Sequence, residues 1–140
     1  MAEAATIQVD IVSAEGEIFS GPATLVTVPA SEGELGIYPR HAPLLTLLKP
    51  GAVKVQADGE EHHFYVAGGV LEIQPNKVTV LAYTAQHAKD IDEAAALAAK
   101  QRAEEALKSR PGDITQAEAL AELARAAAQL KVVRLRKRRG

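Results

Sequence analysis

The chain has no cysteine, which excludes a disulfide framework, thiol catalysis and thiolate metal sites. No stretch approaches the roughly 18 consecutive apolar residues of a membrane span. Met1–Thr6 also lacks the basic start and apolar run of a signal peptide, so a soluble, cytosolic protein is expected. No glycine-rich run leads into Lys-Ser or Lys-Thr, so a phosphate-binding loop is missing. The serines, Ser13, Ser20, Ser31 and Ser109, all lie outside a Gly-x-Ser-x-Gly context. No acid follows Glu122. At 140 residues the chain can hold one ordinary core, or a modest core with an appendage.

Charge is balanced in total, with 16 basic and 18 acidic residues, but it is unevenly placed. Lys131, Arg134, Arg136, Lys137, Arg138 and Arg139 close the chain without an intervening acid. That end needs an acidic partner or a helix C-terminus to complement. No aromatic residue interleaves with these cations and the rest of the chain is net acidic, so no nucleic-acid partner is expected.

Two halves carry different periods. Up to about Ala85 the pattern has period two: Ile7, Val9 and Ile11 alternate with Gln8 and Asp10, and Val53 and Val55 flank Lys54. Phe64 and Val66 alternate with His63 and Tyr65, Leu71 and Ile73 with Val70 and Glu72, and Val78 and Val80 with Thr79 and Leu81. Turn signals at Glu15-Gly16, Gly21-Pro22, Pro50-Gly51, Asp58-Gly59, Gly68-Gly69 and Pro75-Asn76 separate these runs. Short alternating strands at that spacing predict an all-β sandwich or barrel. Leu25–Val28 and Leu44–Leu48 are apolar on both sides, which predicts burial between two packed sheets.

From Ala88 onward alanine dominates. Asp90 with Glu93 predicts the cap of a first helix running to Lys108, and Arg110-Pro111-Gly112-Asp113 a short turn. Thr115-Gln116-Ala117-Glu118 reads as a second capping box, and Leu120, Leu123, Ala127, Leu130 and Val133 as the packing stripe of a second helix. A short turn makes the two helices antiparallel neighbours. The first helix offers Ala95, Ala96, Ala99, Ala103 and Ala106 with Leu107, a face that buries little area. Such a hairpin is either a weakly docked, bistable element or a static brace.

Ser31 to Leu45 packs two glycines, two prolines and a pair of acids around a short apolar segment, Leu35 to Tyr38. It is a surface specified for shape, hence for a partner. Glu32 and Glu34 read as a solvated turn, and His41 as a structural or interface residue without a serine or acid beside it. His62 and His63 are adjacent in a strand, so they point to opposite faces and cannot hold one ion; both are expected to be solvated.

The order and spacing of several pieces resemble the epsilon subunit of bacterial F-type ATP synthases. They are Val12-Ser13-Ala14-Glu15 with Phe19-Ser20-Gly21, Ser31 to Leu45, Lys49-Pro50-Gly51, Gly68 to Pro75, Val78 to Ala82, Asp92-Glu93-Ala94 and Ala128-Gln129-Leu130. The resemblance implies an α+β chain: a ten-stranded β-sandwich over residues 1–87, followed by an antiparallel helical hairpin over 88–140. It implies a non-catalytic subunit of the central rotor stalk, linking the gamma subunit to the c ring at the cytoplasmic face of the bacterial inner membrane. It also implies a hairpin that can extend along gamma and block ATP hydrolysis. By motif, Glu32 and Glu34 would face the c ring, and Ser13 and His41 the gamma subunit. Arg134, Arg136, Lys137, Arg138 and Arg139 would form an inhibitory tail that transiently approaches a catalytic beta subunit. Some members bind ATP through Ile-Asp-x-x-Arg-Ala; here Ala95 stands where the arginine belongs, so no cofactor is expected. The competing expectation is a stand-alone β-sandwich ligand-binding module with a fixed helical brace. An enzyme ranks third, since no acid, base and nucleophile converge.

Overall fold

The computed structural model describes residues 5–108 and 116–139, with side chains as far as Lys137. The expected turn at Arg110–Asp113, the capping box at Thr115 and the side chains of Arg138 and Arg139 therefore lie outside the described residues. Eight strands come first: β1 (Ile7–Ser13), β2 (Gly16–Ala23), β3 (Leu25–Ala30), β4 (Gly33–Ile37), β5 (Leu44–Ala57), β6 (Glu60–Gln74), β7 (Lys77–Ala82) and β8 (Ala85–His87). A 3-10 turn at Ala88–Asp90 leads to α1 (Glu93–Lys108) and α2 (Gln116–Arg139).

Among the described residues the strands number eight rather than ten, and the reason is geometric. Pro50-Gly51 and Gly68-Gly69 predict strand breaks, yet β5 and β6 run straight through them as strands of 14 and 15 residues. Each serves two layers. Leu44–Leu48 of β5 pairs with Gly69–Ile73 of β6, whose far side pairs with β7. Pro50–Ala57 pairs with Glu60–Ala67, which is flanked by β3 and β8. One layer, the open sheet, is thus β2-β1-β7 with the second half of β6 and the first half of β5. The other, the covered sheet, is β4-β3 with the remaining halves of β5 and β6, then β8.

Two glycines make the bend possible. Gly68 and Gly69 have φ of +99° and +145°, a region that side chains rarely adopt. A Cβ on Gly69 would collide with the Leu81 carbonyl oxygen and stand 2.8 Å from the Ala82 Cα. At the other end, Asp58 and Gly59 have φ of 54° and 77°, the signature of the tight two-residue hairpin that Asp-Gly predicts.

The period-two residues fill the space between the sheets. Val9, Ile11, Val26, Val28, Ile37, Val53, Val55, Phe64, Val66, Leu71, Ile73, Val78 and Val80 are fully buried in one cluster, to which neither helix contributes a side chain. Helical residues enter a second, smaller cluster on the outer face of the covered sheet. There Tyr65 and Val132 meet Ala88, with Ala52, Ala67, Ile91 and Ala128 around them. Tyr65 and Val132 are its only large, fully buried side chains, and at about 1.5–3 kcal/mol each their burial is a modest tether.

This division yields an expected result. A chain ending at Ala88 keeps the whole sandwich core and loses only the cover over Tyr65. It should melt cooperatively, with a midpoint lowered by roughly 10 °C or less. A non-cooperative or unfolded product by circular dichroism would show that the two units are one.

The helices differ in detail from expectation. Asp92, not Asp90, caps α1: its Oδ1 accepts from the Ala95 N–H at 3.0 Å, while Asp90 sits in the 3-10 turn. α1 buries Ala96 and Ala103, and Ala95 is exposed. α2 buries Ala119, Ala126, Leu130, Val132 and Val133, whereas Leu120 is 54% exposed. The helix packs on two sides, against α1 and the sheet, so one stripe cannot describe it.

Candidate functional site

The open sheet has a bare apolar outer face. Register aligns Leu47 with Val70, Val70 with Leu81, and Leu81 with Val12, so these four point the same way across four strands. Leu47 is 60% exposed and Leu81 49%. Leu45, two residues from Leu47, shares the face and is 70% exposed. The Tyr83 ring lies over Gly68, at 3.6 Å from where a Cβ would stand, and Tyr38 projects from the end of β4. The sequence pattern predicts burial on both sides for Leu44–Leu48; only Leu48 is buried. The two-sided apolar pattern is real, but its outer half awaits another molecule.

The same face is polar where β1 begins. Asp10 accepts from the Gln8 side chain at 3.0 Å and the Ser20 hydroxyl at 2.8 Å, and pairs with Lys77 at 3.1 Å. Those hydrogen bonds, Gln8 first, hold its carboxyl below the usual value. The apolar stripe is therefore bounded by groups already satisfied within the chain.

The expected site residues surround this face. Glu32 lies in the exposed turn between β3 and β4, pinned by the Ser31 N–H donating to the Leu47 carbonyl at 2.9 Å. Glu32 and Glu34 line a shallow depression together with Leu44 and Thr46. His41 follows Arg40, whose N–H donates to the Pro75 carbonyl at 2.8 Å, and its own ring contacts the Ala42 carbonyl at 2.7 Å. Ser13 is buried and fully employed: its hydroxyl donates to the Gly16 carbonyl and accepts from the Glu15 N–H. Ser13 lies just beyond Val12, which is level with Leu81 and Val70, whereas His41 follows Arg40 beside Pro75, past the far end of β6, so the two mark opposite ends of the open sheet. Sequence reasoning missed Leu45, Leu47, Leu81 and Tyr83. The available signal was an apolar residue at the outward phase of strands that already had a core face.

On the covered sheet, the hairpin lies down. Gln129 of α2 donates to Gln86 at 2.8 Å, and Lys137 reaches Glu93 at the start of α1 at 2.7 Å. The tail cation Lys137 thus has an acidic partner within the chain, through a pair exposed enough to contribute little. Arg134 and Arg136 are both exposed. His63, expected to be solvated, is 3% exposed, with Nε2 3.4 Å from Glu61. It shares the strand face of Tyr65, the face on which the hairpin docks. Burial raises the Tyr65 pKa. Among the described residues no His, Asp and Glu cluster could hold a metal, and no helix is long and apolar enough to cross a membrane.

His87 ends the sandwich and begins the hairpin. Its Nδ1 accepts from the Lys89 N–H at 3.3 Å, and its ring stacks edge-on to Phe64 at 4.8 Å. Burial, then Lys89, holds it below the ordinary imidazole value; Asp90 opposes, and His62 and Arg136 of α2 add to the depression. The folded state thus resists protonation at His87: the stabilisation is full above about 6.5, where the unfolded imidazole is neutral, and is lost as pH falls below that value. Arg136, the smallest cause, is the one on α2, so the loss falls on the sandwich end around Phe64 more than on docking. The thermal midpoint is expected to fall between about pH 7.5 and 5.5. The fall should shrink in His87→Gln; an equal pH response in that variant would remove His87 as its source.

Comparison with known proteins agrees with this architecture. The family described as ATP synthase, Delta/Epsilon chain, beta-sandwich domain matches residues 6–88, and its long alpha-helix domain matches residues 89–134. The chain is similar to the ATP synthase epsilon chain of Nitrosococcus oceani, 63% identical over 98% of this chain and 99% of that one. It is 60% identical to the ATP synthase epsilon chain 1 of Methylococcus capsulatus, over 93% and 94% of the two chains. The fold is also that of a chain in the Euglena gracilis mitochondrial ATP synthase OSCP/F1/c-ring assembly. That match has a TM-score of 0.71 at 18% identity, covering 96% of this chain and 81% of the other. A chain of the Tetrahymena thermophila mitochondrial ATP synthase central stalk and c-ring gives 0.58 at 17% identity, over 96% and 98%. The chain belongs to the ATP synthase epsilon chain family, as a non-catalytic subunit of that complex.

Proposed function

We propose that the chain is a rotor-stalk subunit that joins gamma to the c ring and supports coupling of proton flow to ATP synthesis. The observation that carries this is the bare apolar face of the open sheet, on a sandwich whose core is complete without it. A folded domain that leaves Leu45, Leu47, Leu81 and Tyr83 in water has a partner for them. Gamma is the partner assigned to that face and its two ends, Ser13 and His41. The c ring is assigned to the acidic turn, Glu32 and Glu34. The assemblies named for the two similar folds contain a c-ring, which supports the same arrangement. The subunit would lie at the cytoplasmic face of the bacterial inner membrane, held there by its complex.

The hairpin is assigned a second role, inhibition of ATP hydrolysis when it leaves the sandwich and rises along gamma. Among the described residues its tether to the sandwich is two large side chains and one glutamine pair, which makes release accessible. Alanine's helix propensity keeps the helices viable when undocked. Arg134, Arg136, Lys137, Arg138 and Arg139 would then meet an acidic part of a catalytic beta subunit.

Replacing Arg134, Arg136, Arg138 and Arg139 by alanine tests the inhibitory role. ATP hydrolysis by the assembled complex should rise several-fold while gamma binding is unchanged. Inhibition by the unaltered chain should also fade with added salt, as the screening length falls below its value of about 10 Å at 0.1 M. Unchanged hydrolysis would reduce the tail to a solvated helix end. Copurification tests the stalk role: the chain should come down with gamma and the catalytic head. Recovery alone would favour a stand-alone ligand-binding module with a fixed helical brace.

A further inference from the structure

Tyr65 carries a hydroxyl that the docked hairpin covers. The residue is 1% exposed and lies outside the sandwich core cluster, on the outer face of the covered sheet with Val132 and Ala128 of α2 against it. Its hydroxyl oxygen is buried and has no hydrogen-bond partner among the described residues. The polar groups nearby are engaged with others or held off. Gln86, opposite Tyr65 in register, gives its Oε1 to Gln129 of α2. Arg125 of α2 lines the same cleft but acts on the phenol through its charge, without a hydrogen bond. Two residues back on the same strand face, His63 has Glu61 at 3.4 Å from its Nε2.

A buried hydroxyl that makes no hydrogen bond forfeits the bonds that water would give it. That loss exists only while the hairpin is docked, because release returns the outer face of the covered sheet to water. The ring of the same residue supplies apolar area that favours docking. Tyr65 thus pulls both ways: its ring fastens the hairpin and its hydroxyl loosens it. Phenylalanine would fasten without the opposing part. We propose that the Tyr65 hydroxyl sets the docking equilibrium of the hairpin, making the docked-to-released ratio about tenfold lower than the ring alone would give. A partner that captures the released hairpin then has that much less to overcome. This deepens the inhibitory role assigned to the hairpin and rests on it for the consequence in the complex; the docking equilibrium itself belongs to the free chain.

Tyr65→Phe and Tyr65→Ala separate the two parts, in the full-length free chain at fixed pH. The measurement is amide exchange along α2. Tyr65→Phe is expected to slow it about tenfold, since the ring stays and the unpaired group goes. Tyr65→Ala should speed it, since the ring goes too. Opposite signs at one position distinguish this role from that of a merely structural tyrosine, where both substitutions would loosen the hairpin. Neither variant touches the sandwich core cluster, so both should keep the native circular dichroism of the strands. Tyr83→Phe, at a ring that is 69% exposed, is the control and should leave α2 unchanged. In the assembled complex Tyr65→Phe should also raise ATP hydrolysis. Slowed exchange with unaltered hydrolysis would uphold the hydroxyl's part in docking and remove the inhibitory role. Exchange in α2 that is unchanged or faster in Tyr65→Phe overturns the proposal.

Discussion

Substituting glutamate for both Leu47 and Leu81 is expected to leave a folded chain that no longer assembles. The two side chains are cross-strand neighbours of Val70 on the open sheet, and they are 60% and 49% exposed in the free chain. Since the sandwich core does not use them, the melting midpoint should move by only a few degrees. Two carboxylates buried without partners against gamma would instead cost several kcal/mol. An affinity loss on the order of a thousandfold is the expected reading in a pull-down or surface-binding assay with gamma. Glu72→Gln, on the same outer face in register with Leu45, is the matched control and should bind nearly normally. Normal assembly of the double variant would mean that the apolar face is not the grip.

Gly69→Ala should have the largest effect on stability. The residue holds the bend of β6 at φ +145°, and its absent Cβ leaves room for the Leu81 carbonyl of the neighbouring strand. An alanine there meets backbone that cannot move without opening β6 from β7, at a cost of about 3 kcal/mol or more. Gly16 makes the contrast. It has φ +128°, but a Cβ there would meet nothing within 4 Å, so Gly16→Ala carries conformational strain alone. Thermal melts should therefore lower the midpoint far more for Gly69→Ala than for Gly16→Ala. Equal shifts would show that φ, not the approach of Leu81, governs the bend.

These two cases also mark what was legible in the chain itself. Period-two alternation located the core residues, because a strand's inward phase is set by local pattern alone. The glycine pair and Pro50-Gly51 were visible as punctuation, but bends and turns carry the same residues. Only pairing on both sides distinguishes a strand that changes layer from two strands. Helix phase failed at Leu120 for a related reason: α2 divides its buried residues between α1 and the sheet, so the single-stripe pattern fitted neither. Asp92 outcompeted Asp90 as a cap once the 3-10 turn had consumed Ala88–Asp90. The outer apolar face was written in Leu44–Leu48, yet a leucine awaiting a partner subunit and one awaiting a second sheet look identical in sequence. The burial of His63 was hidden because histidine is ordinarily wet, and its cover depends on which sheet face the hairpin takes.

Hydroxyl-radical footprinting of the free chain and of the chain assembled with gamma and the c ring tests the central claim most directly. Tyr38, Leu45, Leu47, Leu81 and Tyr83 are open in the free chain and should be oxidised readily. On assembly they should become protected together, while Leu97 on α1, which is 47% exposed, keeps its reactivity or changes only with the state of the hairpin. Protection confined to the helices, with the five open-sheet and loop side chains still reactive in the assembled enzyme, would contradict the account.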